Sequence, residues 1–101
     1  MIGKNIMKSF KKDLGEAISL VSNIEDQLKI NFLNGNEKVI FYSILIREKD
    51  GNNCIISDVI KTSKLSRSTV FKVLKKFESL SLVSLLQSPE DRREFSIKVN
   101  I

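Results

Sequence analysis

From Lys4 to about Phe32 the apolar residues keep helical time. Met7, Phe10, Leu14, Ala17, Val21, Ile24 and Leu28 follow one another at alternating intervals of three and four, the a/d seam of a heptad repeat. Ile6 and Ile18 widen the stripe, and Gly15 weakens it by about 1 kcal/mol relative to Ala. Asn34-Gly35-Asn36 supplies the predicted stop, since Gly or Asn readily takes the left-handed cap conformation. A second helix is expected from Asn36, as N-cap, to Lys49, with Glu37 in its first turn and Ile40, Phe41, Ile44 and Leu45 facing inward. Asp50-Gly51-Asn52-Asn53 then reads as a loop.

Cys54-Ile55-Ile56 is long enough only for a strand stub. Ser57 is the expected N-cap of a helix to about Thr62, with Val59 and Ile60 inward, and Ser63-Lys64-Leu65 makes a short turn. Ser66 caps the next helix, its hydroxyl positioned for the orphan amides of Ser68 or Thr69. In that helix Val70, Val73, Leu74, Phe77 and Leu80 form one apolar stripe, and the other face carries Arg67, Ser68, Thr69, Phe71, Lys72, Lys75 and Lys76. The C-terminal stretch predicts a hairpin: an apolar run Leu82–Leu86, a polar loop Gln87–Arg93, and a strictly alternating strand Glu94–Ile101. Such a ribbon is marginal alone, so its apolar side is expected against the helices.

Composition narrows the chemistry. With 101 residues the chain suits one core. No run approaches the roughly 18 apolar residues of a membrane span. The basic start, Met1 to Phe10, lacks the apolar run and cleavage site of a signal peptide, so a cytoplasmic protein is expected. Cys54 is the sole cysteine and histidine is absent. These counts exclude an intrachain disulfide, His-ligated metals and a Ser-His-Asp triad. The acids are scattered beside Lys and Arg as on solvated faces, so no enzyme is expected, and no cofactor.

Charge is the first positive clue. The net charge is +5, and residues 57–101 hold nine basic against five acidic side chains. Between Val59 and Phe77 lie Lys61, Lys64, Arg67, Lys72, Lys75 and Lys76, with no acid among them. Such a block suits phosphate. The major groove of B-DNA, about 12 Å wide, admits one helix. A helix entering by its N-terminal end would present Arg67, Ser68, Thr69 and Lys72 to base edges, with Lys75 and Lys76 near the sugar-phosphate backbone. Arg92 and Arg93 in the hairpin loop suit a minor groove, and Ser66 with the helix N-terminus adds amide donors for a phosphate.

These residues resemble a known family. Ile56-Ser-Asp-Val-Ile60 through Leu65-Ser-Arg-Ser-Thr-Val70 is similar to the helix-turn-helix of MarR-type winged-helix regulators. Phe77-Glu-Ser-Leu-Ser-Leu-Val83 resembles the end of their recognition helix and the entry to the wing, and Pro89-Glu-Asp-Arg-Arg93 their wing loop. The resemblance covers about Asn36 to Val99. It implies that Asp91 braces the wing and that Arg93 enters the minor groove, with Arg92 second. Lys64 and Ser81 depart from it, standing where glycine is usual. The chain also ends with the wing strand, short of the C-terminal helices that help typical members build a dimer and a ligand pocket.

The expected fold class is therefore α+β, mainly α: a winged helix-turn-helix with a long N-terminal helix and a C-terminal two-stranded wing. One domain is expected over residues 1–101, with 1–33 a dimerisation helix using the Met7, Phe10, Leu14, Ala17, Val21, Ile24, Leu28 seam and 36–101 the winged helix-turn-helix. The expected partners are double-stranded DNA and a second copy of the chain, with no membrane, and the expected role is that of a transcriptional regulator, a repressor. The alternative is a plasmid or phage centromere-binding adaptor that also engages a filament-forming segregation protein. A purely protein-binding winged helix fits the acid-free basic stretch less well. Lys4, Lys8, Lys11 and Lys12 read as solvated charge, Cys54 as a small core residue, and Phe71 as a half-buried filler.

Overall fold

The computed structural model of the chain describes residues 4–100, with side chains from residue 7. The side chains of Lys4 and Ile6, the segment Met1–Gly3 and Ile101, on all of which expectations above rest, lie outside the described residues. The described chain divides into two compact units, one ending at Leu33 and one beginning at Asn34.

The first unit is built on α1, Lys4–Leu28. Met7, Phe10, Leu14, Ala17, Ile18, Val21 and Ile24 are exposed, and Leu28 is half-buried. The helix stops earlier than Asn34-Gly35-Asn36. Lys29 takes a left-handed φ of 59°, its amide donates to the Asp26 carbonyl at 3.2 Å, and the Ile30 amide donates to the Glu25 carbonyl at 3.0 Å. This pair of bonds is a Schellman motif with lysine at the usual glycine position.

In the second unit α2 spans Gly35–Lys49 and its N-cap is Asn34, not Asn36. Asn34 Oδ1 accepts the Glu37 amide and Glu37 Oε1 accepts the Asn34 amide, both at 2.9 Å. This reciprocal capping box satisfies two donors at once, which Asn36 could not do from inside the first turn. Ile40, Phe41 and Ile44 are buried as expected, and Leu45 is half-buried.

After β1, Cys54–Ile55, the chain enters α3, Ile56–Ser63. Ser57 lies inside α3 rather than capping it. The carboxylate of Asp58 holds the Ile55 amide at 3.1 Å, and the Ser57 hydroxyl is engaged by Glu94. Then α4 spans Arg67–Ser79, capped by Ser66, whose hydroxyl accepts the Thr69 amide at 3.2 Å.

Strands β2, Val83–Gln87, and β3, Phe95–Val99, form the hairpin. The stub β1 adds to it, pairing Cys54 with Ile97 and Ile55 with Ser96, so the sheet has three antiparallel strands in the order β1-β3-β2. A two-residue strand gives no periodicity to read, and that pairing was not foreseen. The core of this unit gathers Ile40, Phe41, Ile44, Ile56, Val59, Val70, Leu74, Phe77, Val83, Ile97 and Val99, all buried. At its centre the rings of Phe41 and Phe77 meet edge to face, 5.8 Å apart, a geometry worth about 1 kcal/mol beyond burial.

Two tight turns join these parts without glycine. Lys64 and Ser81 both adopt φ 61°. The Lys64 amide closes α3 on the Ile60 carbonyl at 3.0 Å, and the Leu82 amide closes α4 on the Phe77 carbonyl at 2.9 Å. The backbone follows the glycine-type path at both positions, with side chains that disfavour it.

Candidate nucleic-acid interface

Helical spacing sorts the side chains of α4 into three strips. Val70, Leu74 and Phe77 are buried, and Val73 is half-buried. At roughly 100° per residue, Ser68, Lys72, Lys75 and Ser79 fall directly opposite that stripe. All four are exposed. Arg67 and Phe71 lie on one flank, Thr69 and Lys76 on the other.

The Arg67 flank faces the wing. Its Nη1 donates to the main-chain carbonyl of Arg93 at 2.9 Å. One turn further, the Phe71 ring lies 5.5 Å from that of Phe95 at a tilt of 53°. Phe71 is thus in contact with the wing strand while remaining partly exposed. The opposite flank faces the protein in a different way. The Thr69 hydroxyl is held by Ser66 at 2.9 Å, and Lys76 Nζ lies 2.6 Å from Glu37 Oε2. The Lys76 side chain is half exposed, whereas Glu37 is buried. That ion pair, then the Asn34 amide, holds the Glu37 carboxyl below its ordinary value despite burial. Lys75 is paired with Glu78 within the helix at 3.0 Å.

The wing loop is closed from within. Asp91 Oδ1 accepts the Arg93 amide at 2.9 Å and stands 3.9 Å from Arg93 Nε, while its carbonyl accepts the Glu94 amide at 3.0 Å. Gln87 Nε2 donates to the Arg92 carbonyl at 2.8 Å. These bonds leave the Arg93 side chain 85% exposed. At the base of the loop Glu94 accepts the Ser57 hydroxyl at 2.8 Å and the Ser57 amide at 3.3 Å, tying the wing to the first turn of α3.

Of the residues singled out from sequence, Ser66, Arg67, Ser68, Thr69, Lys72, Arg92, Arg93 and Asp91 all lie on α4, its cap or the wing loop. Lys75 and Lys76 share the helix but have acidic partners. The residues of the α1 seam belong to the other unit. Glu37 and Glu94 were missed as organisers. The Asn34-x-x-Glu37 spacing was a readable signal for the first, whereas Glu94 meets Ser57 across 37 positions with no local signature. Cys54 is buried within β1, and desolvation, aided by the nearby Asp58 and Glu48 charges, pushes its thiol up to about 11. Among the described residues no helix is long and apolar enough to cross a membrane.

No curated protein matches the chain by sequence. Several solved structures share its fold. BpsR of Bordetella bronchiseptica, described in work on regulation of its DNA binding by 6-hydroxynicotinic acid, is 19% identical, with a TM-score of 0.57 over 87% of this chain and 67% of BpsR. AbsC, a MarR family transcriptional regulator from Streptomyces coelicolor, is also 19% identical, with a TM-score of 0.55 over 98% of this chain and 66% of AbsC. Reduced AbfR, solved bound to DNA, is 17% identical, with a TM-score of 0.58 over 97% of this chain and 72% of AbfR. The chain thus spans about two thirds of the length of these proteins, and at such identities the likeness is one of fold. The family model for MarR matches residues 42–95, from the middle of α2 to the first residue of β3. With more than half of its length so matched, this chain belongs to the MarR family of DNA-binding transcriptional regulators.

Proposed function

We propose that this protein binds double-stranded DNA sequence-specifically as a homodimer and represses transcription by occupying its site. In this reading α4 enters the major groove with Ser68 and Lys72 toward base edges and Lys75 near the phosphates. Arg93, and second to it Arg92, reaches the adjacent minor groove, whose negative potential attracts guanidinium. Ser66 and the first turn of α4 offer amide donors to a phosphate. The observation that carries the reading is the exposed strip Ser68–Lys72–Lys75, set opposite the buried stripe of α4 and flanked by a wing loop that presents an 85% exposed Arg93. That AbfR was solved on DNA with the same fold supports it further.

The homodimer is proposed on α1. The stripe from Met7 to Leu28 runs for roughly 30 Å at 1.5 Å per residue. Met7, Phe10, Leu14, Val21 and Ile24 are all exposed along it. A stripe of that length is more apolar surface than a monomer ordinarily leaves to water. Burying such side chains against a second copy would contribute roughly 1.5–3 kcal/mol each.

Selection of duplexes from a random library tests the whole. The expected outcome is an enriched inverted repeat whose half-sites are centred about one helical turn, or a multiple of it, apart. Enrichment of nothing, or of a tandem array without inverted symmetry, contradicts the proposal.

A further inference from the structure

We propose that Arg67 is a positioning residue for the wing rather than a reader of bases, and that specificity is carried by the strip beginning at Ser68 and Lys72. This deepens the DNA-binding reading above and rests on it. The first side chain of a recognition helix would ordinarily be assigned to the groove. Here the Arg67 guanidinium is turned aside, and its Nη1 holds the Arg93 carbonyl at 2.9 Å.

Three features make this a structural role and not a chance contact. Arg67 and Phe71 are one turn apart on the same flank of α4, and both meet the wing, Phe71 through the 5.5 Å contact with Phe95. The acceptor is the main chain of Arg93, whose own side chain is left to solvent. The bonds made within the loop by Gln87, Ser88 and Asp91 are internal, and fix its shape but not its place. Glu94 anchors the base of the wing to α3, and Arg67 anchors the adjoining Arg93 backbone to α4. With both tethers in place, α4 and the Arg93 side chain form one surface before DNA arrives, so less ordering remains for binding to accomplish. Ser68 and Lys72, pointing away from the core, have no such duty. Among the described residues the Ser68 hydroxyl meets that of Ser66, at 3.2 Å.

Arg67→Ala separates these roles. It is exposed and in the first turn of α4, so the fold should persist, and circular dichroism checks that it does. In the DNA-free protein, amide exchange at Arg93 and Glu94 should rise by about five-fold, as expected when a local tether of this kind is lost. Affinity should fall by about five-fold, to within a factor of about two, both for the duplex enriched by the parent protein and for a mixed-sequence duplex of equal length. In an Arg93→Ala background, where the wing contact is already gone, Arg67→Ala should cost less than about two-fold more. A selective loss of about ten-fold or more on the enriched duplex would identify Arg67 as a base reader and overturn the proposal. So would full multiplication of the two substitutions, or unchanged exchange at Arg93 and Glu94. If the parent binds neither duplex, the DNA-binding reading falls by itself, and exchange in the free protein still decides whether Arg67 holds the wing.

Discussion

Lys76 Nζ stands 2.6 Å from Glu37 Oε2, and the other oxygen of that carboxylate holds the Asn34 amide at 2.9 Å. One buried acid thereby joins the outer flank of α4 to the first turn of α2. Because Lys76 is half exposed, water screens the pair, and Lys76→Ala should destabilise the protein by about 1–2 kcal/mol, less than the loss from a fully buried pair. The pH dependence has a definite sign. Glu37 is held below its ordinary 4.5 when folded, so its stabilisation is present above the unfolded value and lost as pH falls through the lower folded one. Urea melts of parent and Lys76→Ala should therefore differ at neutral pH and converge in acid. A gap that stays constant down to the acid limb would show that the pair contributes nothing through charge.

Lys64 and Ser81 stand in left-handed backbone at φ 61°. For a residue with a Cβ this conformation costs roughly 1–2 kcal/mol, which glycine avoids at the expense of a floppier unfolded chain. Lys64→Gly and Ser81→Gly should each stabilise by about 0.5–1 kcal/mol in denaturant melts. Destabilisation by either would mean that its side chain makes a contact worth more than the strain.

Most of the fold was legible because it repeats. The α4 stripe from Val70 to Phe77, the Ser66 cap and the alternation of Ile97, Lys98 and Val99 are short-range patterns, and each appears where its period put it. The errors fall where several polar residues compete for one role. Asn34 and Asn36 are both good caps, and only Asn34 has Glu37 at the reciprocal distance. Lys29 ends α1 although nothing in lysine itself favours the left-handed turn. At the candidate interface, charge and position brought Arg67, Lys72 and Lys76 together on α4, but not their directions. Arg67 turns to the Arg93 carbonyl and Lys76 to Glu37, through partners 26 and 39 positions away. Long-range partners leave no period to read.

Cys54 is buried, with its thiol raised to about 11. Since the neutral thiol is favoured by the fold, its contribution to stability persists through neutral pH and is lost only as pH rises from the ordinary 9.0 toward that value. Thiolate is the reactive form. A thiol reagent at pH 8 should therefore label the folded protein far more slowly than the denatured chain, and mild peroxide should leave DNA affinity unchanged. Rapid labelling of the folded protein would contradict the placement of this side chain.

The proposed dimer is tested by Val21→Asp with Leu28→Asp. Val21 is exposed on α1 and Leu28 half-buried near its end. Placing two carboxylates in an apolar seam should abolish it, giving a monomer by light scattering that retains the circular dichroism of a folded residue 34–101 unit and binds DNA more weakly. Persistence of the dimer assigns the interface to another surface. Loss of all structure would show that the seam is core.

A salt titration tests most directly whether the outward strip of α4 and the wing hold duplex DNA. The observed affinity for the enriched duplex is measured across increasing salt for the parent, Lys72→Ala and Lys75→Ala. Each neutralised phosphate should contribute about −0.9 to the log–log slope, so the parent line should be steep. A variant that has lost one phosphate contact should be shallower by about 1. That result is predicted for Lys75, with Lys72 losing discrimination between sequences as well. A line that is flat for the parent, or equally steep in all three proteins, would contradict the placement of DNA on this surface.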